Sequence, residues 1–188
     1  MTKTQVRELA KQFNLKTANK PDSQELCFVP DNNYTRFFKE WENGNSVKPG
    51  PIYNLKKEKL GEHPGLPFYT IGQRKGFGKG FGKPMYVAKI DAKENAIYIA
   101  EDKDLWKKVF YVNQVNWVSI ERPEKPLKCQ VKIRYQHNPG WAIVYLLDQD
   151  TVKVEFYNPE RAITPGQSAV FFEGELLLGG GIIDKVED

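Results

Sequence analysis

From Gly44 onward, glycine and proline recur so often that only short extended segments fit between them. A chain punctuated in this way pairs short strands rather than building long helices. Residues 85–90 and 96–100 flank Asp91-Ala92-Lys93-Glu94-Asn95 and read as a hairpin. Residues 109–118 alternate loosely and end near Trp117. Further strands are expected at 128–135, 142–147, 152–157, 168–172 and 176–183, with turn signals between them. Strands at this regular spacing predict a small antiparallel barrel or sandwich. The fold class expected is mainly β: a short N-terminal helical segment, a small central β domain and a C-terminal antiparallel β-barrel. The expected divisions are residues 1–42, 43–106 and 107–188, with the second boundary near Lys107.

The first forty residues have a different texture. Val6, Leu9, Ala10 and Phe13 recur at helical spacing and make one apolar stripe over residues 2–13. Thr2 and Gln5 have the spacing of a capping box. So short a helix is marginal alone in water, so its stripe is expected to dock. Asn33 can cap a second helix, in which Tyr34, Phe37, Phe38 and Trp41 repeat the spacing. Between the helices lies Lys20-Pro21-Asp22-Ser23-Gln24-Glu25-Leu26-Cys27-Phe28-Val29-Pro30, a connector with one thiol. Lys20 and exposed backbone N–H groups favour a thiolate at Cys27, whereas Asp22 and Glu25 oppose it. The alternative is a small residue tucked under Phe28 and Val29.

Composition narrows the classes. Lys and Arg number 28 against 24 Asp and Glu, a net charge of +4, too little by itself to establish nucleic-acid binding. The two cysteines stand far apart and make no disulfide scaffold. No apolar run is long enough to span a bilayer, and no signal peptide precedes the fold. A cytoplasmic, reducing compartment is expected, in which a free thiol persists. Two histidines and two cysteines without close spacing give no zinc signature. There is no Gly-x-Ser-x-Gly elbow and no Gly-x-x-x-x-Gly-Lys-Ser/Thr phosphate loop. His63, in Gly-Glu-His-Pro-Gly, fits a structural turn, and Cys129 fits a buried strand position.

Two clusters outside the cysteine segment carry cations. Residues 69–83 hold four cations, among them Arg74 and Lys75, with five glycines, two phenylalanines and no carboxylate. Glycine lets backbone approach a ligand, cations meet phosphates, and aromatic rings stack on unpaired bases. A solvated glycine-rich hairpin with its phenylalanines turned inward explains the composition equally well. In Lys132-Ile133-Arg134-Tyr135-Gln136-His137, a continuing strand would put Lys132 and Arg134 on one face and Ile133 and Tyr135 on the other. Arg134 could hold a phosphate through two N–H groups, or simply line an outward polar face. Thr164-Pro165-Gly166-Gln167 has the composition of a turn.

Taken together and in this order, these stretches resemble the C-terminal half of the bacterial tRNA-specific 2-thiouridylases. The likeness runs from Thr2-Lys3-Thr4-Gln5-Val6-Arg7 through Asp22-Ser23-Gln24-Glu25-Leu26-Cys27-Phe28 and Gly61-Glu62-His63-Pro64-Gly65-Leu66. It continues through Tyr69-Thr70-Ile71-Gly72-Gln73-Arg74-Lys75-Gly76, Ile133-Arg134-Tyr135 and Thr164-Pro165-Gly166-Gln167 to Gly179-Gly180-Gly181-Ile182-Ile183. The resemblance implies thiolation of the wobble uridine of tRNAs for glutamate, glutamine and lysine. It implies that ATP adenylates the uridine C2 oxygen and that Cys27 carries the sulfur as a persulfide. It implies tRNA contacts at Arg134, Tyr135 and Gln167, while Arg74 and Lys75 are drawn in by their charge. Expected partners are tRNA and a cysteine desulfurase or sulfur-relay carrier protein, with no membrane.

The departures matter too. The family's ATP pyrophosphatase domain, with its Ser-Gly-Gly-x-Asp-Ser phosphate loop and partner cysteine, has no counterpart in these residues. No cofactor or metal is therefore expected in this chain, with ATP and Mg assigned to that absent domain. The chain by itself is expected to be inactive. Lys56-Lys57-Glu58-Lys59 stands where relatives often carry an Asp-Gly turn. A non-catalytic RNA-binding β-barrel module is the alternative function, and a protein-interaction barrel a third.

Overall fold

The computed structural model describes residues 1–19, 34–40, 47–78 and 80–187. Cys27 with its flanking segment, Asn33, Trp41 and Lys79 lie outside the described residues. The chain divides into two compact units, Met1–Ser46 and Val47–Asp188. Among the described residues it is mainly β.

In the first unit, α1 (Lys3–Gln12) starts at the expected capping box. The Gln5 N–H donates to Thr2 Oγ1 at 3.4 Å, and the Thr2 N–H donates to Gln5 Oε1 at 2.8 Å. Those two bonds satisfy donors that a helix start otherwise leaves open. Among the described residues the apolar stripe is only partly covered: Leu9 and Ala10 are half-buried, Val6 and Phe13 are exposed, and no residue of α1 is fully buried. α2 (Tyr34–Glu40) carries an edge-to-face contact of Phe37 with Phe38 and an Arg36–Glu40 pair one turn apart.

The second unit begins with a four-stranded sheet ordered β2-β1-β4-β3, formed by β1 (Gly50–Asn54), β2 (Lys59–His63), β3 (Tyr86–Asp91) and β4 (Ala96–Ala100). The β3–β4 hairpin matches its expected position. Asp91 Oδ1 accepts from the backbone N–H groups of Lys93 and Glu94, both at 3.1 Å, which forms the turn locally. β4 pairs antiparallel with β3 and parallel with β1, and all five of its residues are buried. A strand covered on both faces needs apolar residues on both, and Ala-Ile-Tyr-Ile-Ala supplies them. In the β1–β2 turn, Asn54 Oδ1 accepts from the N–H groups of Lys56 and Glu58 at 2.9 Å. Lys57 there takes φ 63°, the left-handed conformation that an Asp-Gly turn would supply more cheaply.

The remaining six strands close a barrel in the order β10-β5-β8-β7-β6-β9. They are β5 (Trp106–Trp117), β6 (Leu127–Lys132), β7 (Gly140–Leu146), β8 (Val152–Arg161), β9 (Ser168–Glu173) and β10 (Leu176–Val186). Every neighbouring pair is antiparallel. Of the barrel and the sandwich that the strand spacing allowed, the chain takes the barrel. Its interior is filled at every second residue: Phe110 and Val112, Cys129 and Val131, Ala142 and Val144, Val154 and Phe156, Ala169 and Phe171. The Phe110 and Phe156 rings meet at 5.5 Å inside. Burying each such ring is worth about 1.5–3 kcal/mol.

One strand is shorter than its pattern. β6 stops at Lys132, not Tyr135, because its β7 pairing ends at Val131↔Gly140 and its β9 pairing at Lys132↔Val170. The backbone then turns, with the His137 N–H donating to the Arg134 carbonyl at 3.1 Å. Ile133 stays buried, but Arg134 and Tyr135 leave the strand alternation.

Gly179, Gly180 and Gly181 allow β10 to bend between β5 and β9. A Cβ on them would sit 2.5, 2.6 and 2.5 Å from the backbone oxygens of Asn116, Ala169 and Asn113. The register shifts at this point, between Gly180 and Ile182. Gly180→Ala is therefore expected to cost about 1–3 kcal/mol, the usual range for overpacking. Gly80→Ala, where a Cβ meets nothing within 4 Å, should leave stability nearly unchanged. Urea-unfolding midpoints of the two variants check this.

Candidate functional site

Two turns at one end of the barrel face each other. The first follows β6 and holds Arg134 and Tyr135. The second joins β8 to β9 through Thr164-Pro165-Gly166-Gln167. Here the Gln167 N–H donates to the Thr164 carbonyl at 3.3 Å, and Gly166 takes φ 85°. Pro at the second position and a positive φ at the third are the requirements of a type II turn. Two bonds of 2.8 Å, Gly166 N–H to Ile183 carbonyl and Ile183 N–H to Gln167 carbonyl, fasten that turn to β10.

Between the turns lies a hollow of about 510 Å³. Lys132, Arg134, Tyr135 and Gln167 line it, with Ile133 and Val170 as apolar wall. The structure thus brings Gln167 to the neighbouring pair Arg134 and Tyr135, from which the sequence separates it. Tyr135 is 90% exposed, so its ring is presented to solvent rather than used in packing. Lys132 Nζ stands 5.7 Å from the centre of that ring. Arg74 and Lys75 do not line the hollow; they are exposed on the turn after Gly72. Phe77 in that glycine-rich stretch is buried, stacked on Tyr69 at 6.3 Å, and its described residues form no strand pair. Cys27 lies outside the described residues.

Arg134 is anchored but not consumed. Its Nη1 donates to the Arg161 carbonyl at 3.0 Å, leaving the rest of the guanidinium edge exposed. The backbone it grips is unusual. Ala162 is buried with φ 56°, a conformation costing a non-glycine residue about 1–2 kcal/mol. Its N–H is held by the Leu105 carbonyl at 2.9 Å. The neighbouring Arg161 has its charge matched: Nε bonds Asp102 Oδ1 at 2.8 Å, and the guanidinium lies 4.9 Å from the Tyr86 ring. Hydrogen bonds from Trp106 and then Arg161 hold the Asp102 carboxyl below its ordinary value. Arg161 therefore joins barrel to central sheet, and Arg134 and Lys132 carry the positive charge of the hollow.

Behind the first turn the structure pairs His137, the last residue of the 132–137 cluster, with Glu160, which the sequence does not single out. His137 is buried, and its Nε2 lies 2.8 Å from Glu160 Oε2 on β8. A Cβ on Gly140 would come within 2.7 Å of Glu160 Oε1, so glycine keeps room for that carboxylate. This pair pins the far end of the Arg134–His137 turn. No local spacing signals it, because the partners meet only when β6 and β8 share the barrel.

Among the described residues, no group of three or more His, Cys, Asp or Glu side chains could hold a metal ion. No described helix is long and apolar enough to cross a membrane. Cys129 is buried in the barrel interior. Burial, with a smaller contribution from Glu173, pushes its thiol from the ordinary 9.0 up to about 12.

Comparison with known proteins finds similarity over most of the chain. Residues 107–183 match the aminomethyltransferase beta-barrel domain, 42–101 the tRNA methyl transferase PRC-barrel domain, and 1–31 the tRNA methyl transferase HUP domain. The tRNA-specific 2-thiouridylase MnmA of Halothermothrix orenii is 47% identical over 98% of this chain and 51% of its own length. That of Carboxydothermus hydrogenoformans is 46% identical over 98% of this chain and 50% of its own. The chain belongs to the tRNA-specific 2-thiouridylase family. It spans about half the length of these relatives.

For this family member, the buried thiol leads to a stability prediction. Between about pH 9 and 12 the unfolded chain loses the Cys129 proton while the folded chain keeps it. Its contribution to stability is thus full below the unfolded value and drains as pH rises. Cys129→Ala should therefore lose less stability than wild type on going from about pH 8 to about pH 10.5. Denaturant titrations at the two pH values measure the difference.

Proposed function

We propose that this chain supplies the tRNA-binding surface and the sulfur-presenting cysteine of a tRNA 2-thiouridylase. The observation that carries the reading is the hollow shared by Arg134, Tyr135 and Gln167 in a chain of this family. A guanidinium, an exposed ring and a carboxamide around one hollow suit what RNA offers: phosphate, base face and base edge. Arg74 and Lys75, exposed on the central sheet's glycine-rich turn, extend the cationic surface toward the phosphate backbone.

In this reading Cys27 receives sulfur as Cys–S–SH from a cysteine desulfurase or a sulfur-relay carrier. The setting is a reducing cytoplasm, where the thiol persists. In this reading no residue of this chain is assigned to ATP or Mg, because the sequence lacks the family's Ser-Gly-Gly-x-Asp-Ser phosphate loop. ATP, held by the family's ATP pyrophosphatase domain, supplies activation of the uridine C2 oxygen. The chain's own step is delivery. The terminal persulfide sulfur attacks the activated C2, forming the C–S bond as the C2–O bond breaks. A second thiol, from outside this chain's residues, then attacks the inner sulfur of Cys27. The S–S bond breaks, its electron pair leaves with the thiouridine sulfur, and the enzyme is left with a disulfide.

Incubation with a cysteine desulfurase and labelled cysteine should place label on Cys27 and not on Cys129, read by mass spectrometry without reductant. In the full-length enzyme, Cys27→Ser should abolish 2-thiouridine and leave tRNA binding intact; thiolated tRNA from that variant would sink the sulfur role. Arg134→Ala should weaken tRNA binding and reduce its salt slope by about 0.7–0.9. If the wild-type chain fails to retard tRNA in a gel at low salt, the RNA-binding role is wrong. Retained binding without label on Cys27 would instead favour a non-catalytic RNA-binding barrel.

A further inference from the structure

The barrel wall beside the hollow carries a second cluster of rings and cations. On β6, Cys129 and Val131 point inward, so Lys128, Gln130 and Lys132 point outward. On β8, Val154 and Phe156 point inward, so Lys153, Glu155 and Tyr157 point outward. Trp141 of β7 stands opposite Gln130 on the same outer face. Lys128 Nζ lies 5.4 Å from the Trp141 ring centre and 5.5 Å from that of Tyr157. A single ammonium thus braces two rings from neighbouring strands.

Both rings remain open. Trp141 is 48% exposed and Tyr157 44% exposed. A small barrel has no packing use for large aromatic side chains on its outer wall, where polar residues ordinarily sit. Three lysines, Lys128, Lys132 and Lys153, share this face with one carboxylate, Glu155, so it is net positive. Open rings beside cations form the kind of surface on which single-stranded nucleic acid stacks. The outward residues of β6 connect this cluster to the hollow: from Lys128 to Lys132 the strand runs about 13 Å. Lys132 itself lines the hollow and touches the Tyr135 ring.

We infer that Trp141 and Tyr157, braced by Lys128, form a second RNA contact that stacks unpaired bases of the tRNA held in the Arg134 hollow. The inference rests on the tRNA-binding reading above. Positive charge and continuity with the hollow select RNA over an apolar protein partner. The Trp141–Tyr157 pair supplies the stacking surface, and Lys128 meets the adjoining phosphate.

The test measures binding of a transcribed tRNA, a single-stranded oligoribonucleotide and a duplex of equal length to the full chain and its variants. Trp141→Ala should weaken binding of the tRNA and of the single strand about tenfold, within the range for loss of one stacked base. It should leave duplex binding unchanged. Trp141→Phe, which keeps a ring, should recover most of the loss. Lys128→Gln should lower the salt slope by about 0.7–0.9. Circular dichroism melts show whether each variant keeps the barrel. If folded Trp141→Ala and Lys128→Gln bind tRNA as wild type does while Arg134→Ala does not, this contact is wrong and the hollow stands. Equal losses on duplex and single strand would also overturn it, since stacking on unpaired bases could not produce them. If wild type binds none of the three RNAs, both readings fall.

Discussion

β10 is the strand on which the rest of the barrel depends. It bonds β5 on one side and β9 on the other, so it closes the cylinder. It does so where three successive glycines let three backbone oxygens approach closer than any Cβ permits. Closure removes the free sheet edges that would otherwise offer unpaired N–H and C=O groups to other chains. It also positions the hollow, because Ile183 holds Gly166 and Gln167 through its own backbone N–H and carbonyl. The turn that presents Gln167 is therefore as firm as the barrel wall.

The opposite turn is held by electrostatics. Arg161 spends its charge on Asp102 and Tyr86, which lie before the barrel in sequence and pack against its corner. Its carbonyl, left free by the left-handed bend at Ala162, receives Arg134. Two arginines side by side would repel if both were unpaired. Here one is neutralised and the other is left to face solvent, which lets a cation be fixed in place without losing its reach. His137 and Glu160 hold the other end of the same turn.

Much of this is legible in the sequence. The hairpin of β3 and β4 followed from two extended segments flanking the polar Asp91–Asn95 stretch, where the Asp91 side chain makes the turn locally. The capping box of Thr2 and Gln5 was readable for the same reason. β6 ends before its sequence pattern does, because Lys132-Ile133-Arg134-Tyr135 keeps a period of two even after its partner strands have run out. For the α1 stripe, periodicity shows that an apolar face exists but not what covers it; Leu9 and Ala10 are half-buried while Val6 and Phe13 are exposed. The parallel pairing of β1 with β4 had no signal, as two further strands, β2 and β3, and a long glycine-rich stretch lie between them.

By itself, then, the sequence determined the local elements: where strands alternate, where a proline and a glycine enforce a turn, where a side chain caps a helix. It also carried the family resemblance that singled out Arg134, Tyr135 and Gln167. Only the tertiary structure decided that these three share one hollow, that His137 meets Glu160, and that Lys128 stands between Trp141 and Tyr157. The physical reason is range. Dihedral preferences and turn bonds act over a few neighbouring residues, whereas the hollow and the braced rings exist only once six strands have closed around a common core.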